Sequence, residues 1–143
     1  MHVTTQFAPP ETASSNQVKI LSLPGILTII IGAGIIFIGI REFLQPAIGA
    51  QGYGVPLQNP NDAPFLAIKA ARDIATGILA LTFLVQRNPR ILATAMAALT
   101  LIPILDGLIV FSHAQWIFTP IILIHWGTAA VMLIIVALLR RKM

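Results

Sequence analysis

Arg72, Asp73 and Asp106 are ionisable residues set inside long apolar stretches, and they are the side chains here best suited to chemistry. An ionisable group deep in a bilayer costs about 2.5–3.5 kcal/mol on insertion scales. A chain that is only 10% charged nonetheless places three charges there. Arg72 and Asp73 are successive, so on a helix they point to different neighbours. Arg72 is then free to reach Asp106, and the expectation is a buried guanidinium clasping two acids, its planar fork matching carboxylate geometry. Two carboxyl groups in different environments supply a base and an acid. Opening an epoxide needs that pair, one to activate water and one to protonate the leaving oxygen. Asp73, beside Lys69 and Arg72, is the expected base. Asp106, preceded by Pro103 and with fewer cationic neighbours in sequence, is the expected acid, and the reverse allocation stays open. The competing reading is an interhelical ion-pair network that only fixes packing.

Other polar residues gather around this trio. Lys69, Arg72, Asp73 and Thr76 follow i, i+3, i+4, i+7 and form one helical stripe. Lys69 can pair with Asp73 four residues on, or snorkel to the membrane interface. Glu42, Tyr53, His125 and Trp126 complete the expected substrate-binding set with Lys69. Each has a plainer alternative: Glu42 as an interfacial partner of Arg41, Tyr53 as an ordinary loop tyrosine, His125 as a hydrogen-bonded bundle histidine beside Trp126. No histidine spacing suits a metal, and neither metal nor cofactor is expected.

The elements that must position these residues are helices. The chain is 143 residues long, 57% hydrophobic, with a mean hydropathy of +0.87. Soluble domains average about 25% charged residues, so this is the composition of a membrane protein. Four stretches (20–40, 65–85, 91–111 and 117–139) are each long enough to cross a hydrocarbon core of about 30 Å. The expected fold class is all-α, a four-helix transmembrane bundle over residues 20–143, preceded by a disordered cytosolic tail over 1–19. The tail has no basic leader and does not read as a cleavable signal. With no cysteine, disulfides and thiolate metal sites are excluded.

Lys19, Arg87, Arg90, Arg140, Arg141 and Lys142 fall on one side of this four-span parse and only Arg41 on the other, which places both termini in the cytosol. The net charge of +4 is explained by topology, and no nucleic-acid partner is expected. The loop 41–63, with Pro46, Gly49, Gly52, Gly54, Pro56 and Pro60, is expected to form turns. Asn61-Asp62 before Pro64, and Asn88-Pro89, read as helix starts. Gly32, Gly34 and Gly39 either let a neighbouring helix approach closely or reflect ordinary glycine tolerance in a span. Trp116 reads as an aromatic-belt residue.

At a rise of 1.5 Å per residue, Arg72, Asp73, Asp106 and His125 all lie roughly 9–12 Å from one membrane face, with Glu42 at the same end of the first helix. That one-sidedness points to a water-accessible pocket, expected to measure roughly 300–1,000 Å³.

The strings AARDIATGI (Ala70–Ile78) and IPILDGLIV (Ile102–Val110) resemble those of a small four-helix membrane family found in bacteria and fungi. Its fungal members resemble the membrane epoxide hydrolases of polyketide pathways of the aurovertin and citreoviridin type. The resemblance runs from about Leu23 to the end, and only the Arg-Asp and Asp-Gly strings are specific. It implies that Arg72, Asp73 and Asp106 are the family's polar core, and that the protein lies in the endoplasmic reticulum if fungal. The expected function is a membrane-embedded epoxide hydrolase or epoxide-opening cyclase for a lipophilic polyketide or terpenoid, as a monomer or a homo-oligomer in the bilayer. The alternatives are a non-catalytic lipid- or quinone-binding membrane subunit and, less well supported, a proton-coupled carrier.

Overall fold

The computed structural model describes residues 17–114 and 119–141. Among these, the regular structure is entirely helical: α1 (Leu23–Leu44), α2 (Pro46–Tyr53), a 3-10 turn (Pro60–Asp62), α3 (Ala63–Val85), α4 (Pro89–Leu99), α5 (Leu101–His113) and α6 (Pro120–Arg140). Proline stands in the first turn of α1, α2, α3, α4 and α6. That position needs no N–H partner and suits the ring's fixed φ. Asn88 caps α4, its side chain accepting from the amides of Arg90 and Ile91. Before α3 the capping differs from expectation. The Asn59 side chain, not that of Asn61 or Asp62, accepts the Asn61 amide at 2.9 Å and opens the 3-10 turn.

Among the described residues, three helical stretches are long and apolar enough to cross a membrane: α1, α4 and α5 taken together (Pro89–His113), and α6. Their outward surface is apolar, with Ile30, Phe37, Leu105 and Leu123 each more than half exposed. Soluble proteins seldom leave so much large aliphatic surface uncovered, and this chain is a membrane protein. The fourth expected span, α3, has a comparable length of 23 residues but carries Lys69, Arg72 and Asp73. In the third, α4 gives way to α5 at Thr100, whose backbone stays in the right-handed helical region. Pro103 has no N–H to offer the carbonyl of Leu99, which weakens the ladder at that turn.

α1 lies along α3, and α6 packs against both α4 and α5. The α1–α3 seam is set by glycine. A Cβ on Gly77 would stand 2.5 Å from the carbonyl oxygen of Gly32, and one on Gly39 would stand 2.8 Å from that of Ala70. Gly32 and Gly39 are thus packing glycines, whereas a side chain at Gly34 would meet nothing within 4 Å. Gly77→Leu is expected to push the two helices apart and destabilise the fold by about 1–3 kcal/mol or more. Thermal melting in detergent checks this, with Gly34→Leu as the control that should melt like the parent.

The hydrophobic core fills the end of the molecule near the α3–α4 turn. Leu84, Leu92, Met96, Met132, Ile135 and Leu139 are buried together there. Val18 joins them, 5% exposed, and its amide donates to the carbonyl of Arg87 at 2.9 Å. Val18 lies within the stretch 1–19 expected as a tail, and its apolar side chain completes the core. Residues 1–16, Trp116 and Lys142 lie outside the described residues. Arg87 itself turns the chain at φ 56°, in the left-handed region. That conformation costs a non-glycine residue about 1–2 kcal/mol. Arg87→Gly should raise the melting temperature, and an unchanged or lower one would show that the arginine side chain offsets the strain.

The loop 41–63 is more regular than expected. α1 runs on to Leu44, and α2 follows after Gln45. Pro46 starts α2, and Gly54 ends it at φ 101°, a left-handed cap that glycine adopts without a Cβ penalty. Pro46 and Gly54, two of the residues that suggested turns, are the start and stop signals of a short helix.

Candidate functional site

Opposite the core end, ion pairs link α1, α3 and α5. Lys69 Nζ on α3 donates to Glu42 Oε2 on α1 at 2.8 Å and to Asp73 Oδ2 at 2.6 Å. Arg72 donates through Nε and Nη2 to Asp73 Oδ1, both at 3.1 Å. Its Nη1 and Nη2 also reach Asp106 Oδ1 and Oδ2 on α5, at 3.3 and 2.8 Å. The order is Glu42, Lys69, Asp73, Arg72, Asp106, with signs alternating along the chain.

The single-guanidinium bridge between Asp73 and Asp106 is present, but Arg72 is not buried. Its side chain is 40% exposed, against 10% for either aspartate. Asp73 takes the inward position on α3, and the arginine one residue earlier points along the rim toward α5. The Lys69–Asp73 pair forms as its spacing suggested. Glu42, however, pairs with Lys69 rather than with Arg41, and Lys69 is enclosed rather than snorkelling, its side chain 14% exposed.

A cavity of about 240 Å³ lies against this network. Asp73, Asp106, Glu42, Lys69, Tyr53 and His125 all line it, and Arg72 does not. It is somewhat smaller than expected. Its remaining wall is mostly aliphatic, including Ile35, Ile38, Ile102, Ile124 and Met132. Leu99, Ile102 and Pro103, around the junction of α4 and α5, form the wall beside Asp106. α2 closes one side through Ile48, Gly49, Gly52 and Tyr53. Gly49 allows this: a Cβ there would lie 2.6 Å from the Glu42 side chain.

Tyr53 is held from two directions. Lys69 Nζ lies 4.6 Å from the centre of its ring, a cation–π contact. His125 meets the ring edge-on at 5.0 Å, and its Nε2 sits 3.1 Å from the Tyr53 carbonyl oxygen. Burial raises the pKa of the phenol, and the negative charge of Asp106 adds to the shift. The phenol therefore stays a hydrogen-bond donor at neutral pH.

Trp126 is placed elsewhere. Its ring packs against Gly107 and lies edge-on to Phe111 at 5.8 Å, both on α5. It does not line the cavity, because adjacent residues on α6 face different ways and His125 takes the inward position.

Two features of the site were not legible in advance: the Glu42–Lys69 pair and the wall supplied by α2. No sequence spacing relates Glu42 to Lys69, but Pro46 and Gly54 as helix start and stop would have revealed α2. A second, more open groove of about 510 Å³ is lined by Phe83, Arg90, Ile91 and Thr94 among others, with no acidic residue. It has no acid–base pair, so the candidate site is the cavity at Asp73 and Asp106.

Chemically, this cavity places three carboxylates, an ammonium, a phenol and an imidazole around an apolar space. No curated protein and no solved structure matches the chain. A family model does, over residues 32–139, an interval that includes every cavity-lining residue named above. The chain belongs to the family described as a domain of unknown function, DUF4267.

Proposed function

We propose that the protein is a multi-pass membrane epoxide hydrolase or epoxide-opening cyclase acting on a lipophilic polyketide or terpenoid. In this reading α1, α3, α4 with α5, and α6 form a four-span bundle with both termini in the cytosol. In a fungal cell it would sit in the endoplasmic reticulum. The observation that carries the reading is the pair of aspartates lining an aliphatic cavity while sharing one guanidinium.

Asp73 is the base. Two cations, Lys69 and Arg72, contact its carboxylate and orient it. It takes a proton from water while the water oxygen attacks an epoxide carbon. Asp106 is the acid. The network holds three carboxyl groups against two cations, so one retained proton leaves it electrically balanced. Asp106 takes the acid role, and Glu42, the other end carboxyl, does not, because Asp106 shares the Arg72 guanidinium with Asp73 while Glu42 is joined to Lys69. As the carbon–oxygen bond breaks, Asp106 protonates the departing oxygen, and Arg72 compensates the carboxylate that results. The Tyr53 phenol is a second donor toward the same oxygen. In a cyclase, an internal hydroxyl or alkene of the substrate takes the place of water.

Incubating purified protein with polyene and terpenoid epoxides in ¹⁸O-labelled water tests the proposal. A labelled diol supports hydrolysis, and a cyclic unlabelled product supports cyclisation. Recovery of every epoxide unchanged would favour a non-catalytic lipid- or quinone-binding subunit.

A further inference from the structure

The cations of the site are not equally occupied. Lys69 is taken up by Glu42 and Asp73, and Arg72 by Asp73 and Asp106. Arg41 also lines the cavity, yet no ion pair or hydrogen bond joins its side chain to another described residue. It stands in the last turn of α1, one residue before Glu42, whose carboxylate has turned inward to Lys69. The position leaves an exposed guanidinium at the edge of an aliphatic space. An arginine fork of this kind binds a carboxylate or phosphate through two parallel hydrogen bonds. Lys69 and Arg72 are already taken up by the acids of the network, so the anionic end of a ligand belongs at Arg41 and its apolar body in the cavity.

We propose that the cavity takes an anionic amphiphile, with Arg41 holding a carboxylate head and Ile35, Ile38, Ile48, Ile124 and Met132 enclosing the tail. This rests on the reading of the cavity as a substrate site and narrows the substrate class to epoxides bearing an acidic head. Headgroups of the surrounding bilayer offer similar chemistry, so the test must separate the two sources.

The test measures binding without turnover. Protein in zwitterionic-lipid nanodiscs is titrated with dodecanoate and with its methyl ester. Three forms are compared: the parent, Arg41→Gln and Gly52→Leu. Gly52 lines the cavity, and a side chain there meets no atom within 4 Å, so leucine can occupy cavity space without disturbing the fold. The parent should bind the acid roughly tenfold more tightly than the ester, the effect of one charge-assisted contact. Arg41→Gln should abolish that preference and leave ester binding unchanged, Arg41→Lys should restore part of it, and Gly52→Leu should weaken both ligands. Equal affinity of the parent for acid and ester would overturn the proposal. So would an Arg41→Gln variant that keeps its preference for the acid but loses thermal stabilisation by added phosphatidylglycerol, since Arg41 would then serve the bilayer headgroups. An inert epoxide panel alongside selective dodecanoate binding would remove the catalytic reading and leave this one standing.

Discussion

Asp73→Asn is expected to lower epoxide turnover by about 10²–10⁴-fold, the usual contribution of a positioned general base. The protein should remain folded. Asparagine keeps the shape of the side chain, and it leaves Lys69 and Arg72 balanced by Glu42 and Asp106, two cations against two acids. Asp106→Asn should produce a similar loss by removing the acid, and it too should remain folded, since Glu42 and Asp73 still balance the two cations. The two variants should differ in their pH profiles: loss of the base removes the acidic limb, and loss of the acid removes the alkaline one. Rates and melting temperatures measured together separate catalysis from packing. Full activity in either variant would remove that aspartate from the mechanism, while lost stability at undiminished turnover would mark the network as structural.

Lys69→Met should be the most destabilising single change in the site, by about 3–5 kcal/mol, as expected when one partner of a buried ion pair is removed. Methionine fills a similar volume but leaves Glu42 and Asp73 facing each other without the cation that both contact, at 2.8 and 2.6 Å. Arg72 cannot compensate, because it is on the far side of Asp73 and already binds Asp106. Adding Glu42→Gln to Lys69→Met should recover much of the loss by removing the acid that loses its one cationic partner. Denaturation of the single and double variants in detergent gives the answer as a double-mutant cycle. A Lys69→Met protein as stable as the parent would mean that a carboxyl takes up a proton there at no cost, and the charge count would not govern the network.

What could be read in advance follows from which interactions are local. The helix starts were legible because proline and its preceding cap act within one turn, as at Asn88-Pro89. The Arg72–Asp106 contact was legible because charges in apolar helices need partners and few were available. The Glu42–Lys69 pair was not, because those residues are 27 apart and their meeting depends on how α1 slides along α3. That register is set by Gly32, Gly39 and Gly77 in contact with the opposite backbone, a fact of packing rather than of spacing. α2 was hidden because its glycines resemble turn residues in composition; Gly49 is there to fit against Glu42 and Gly54 to end the helix. The side-chain direction of Trp126 was lost for a similar reason. Sequence placed it beside His125, and only the packing of α6 on α5 shows that the two face different surroundings. The guanidinium at the rim, rather than inside, follows from Asp73 holding the inward position on α3.

In the proposed mechanism Asp73 and Asp106 act on an epoxide held in the cavity between them, with Asp73 activating water rather than attacking carbon itself. A single turnover in ¹⁸O-labelled water, with enzyme in excess over epoxide, tests it most directly. Direct water attack puts one heavy oxygen into the diol on the first turnover and none into the Asp73 peptide. A first-formed diol without label, accompanied by heavy oxygen in that peptide, would show an ester intermediate on the aspartate and contradict the account.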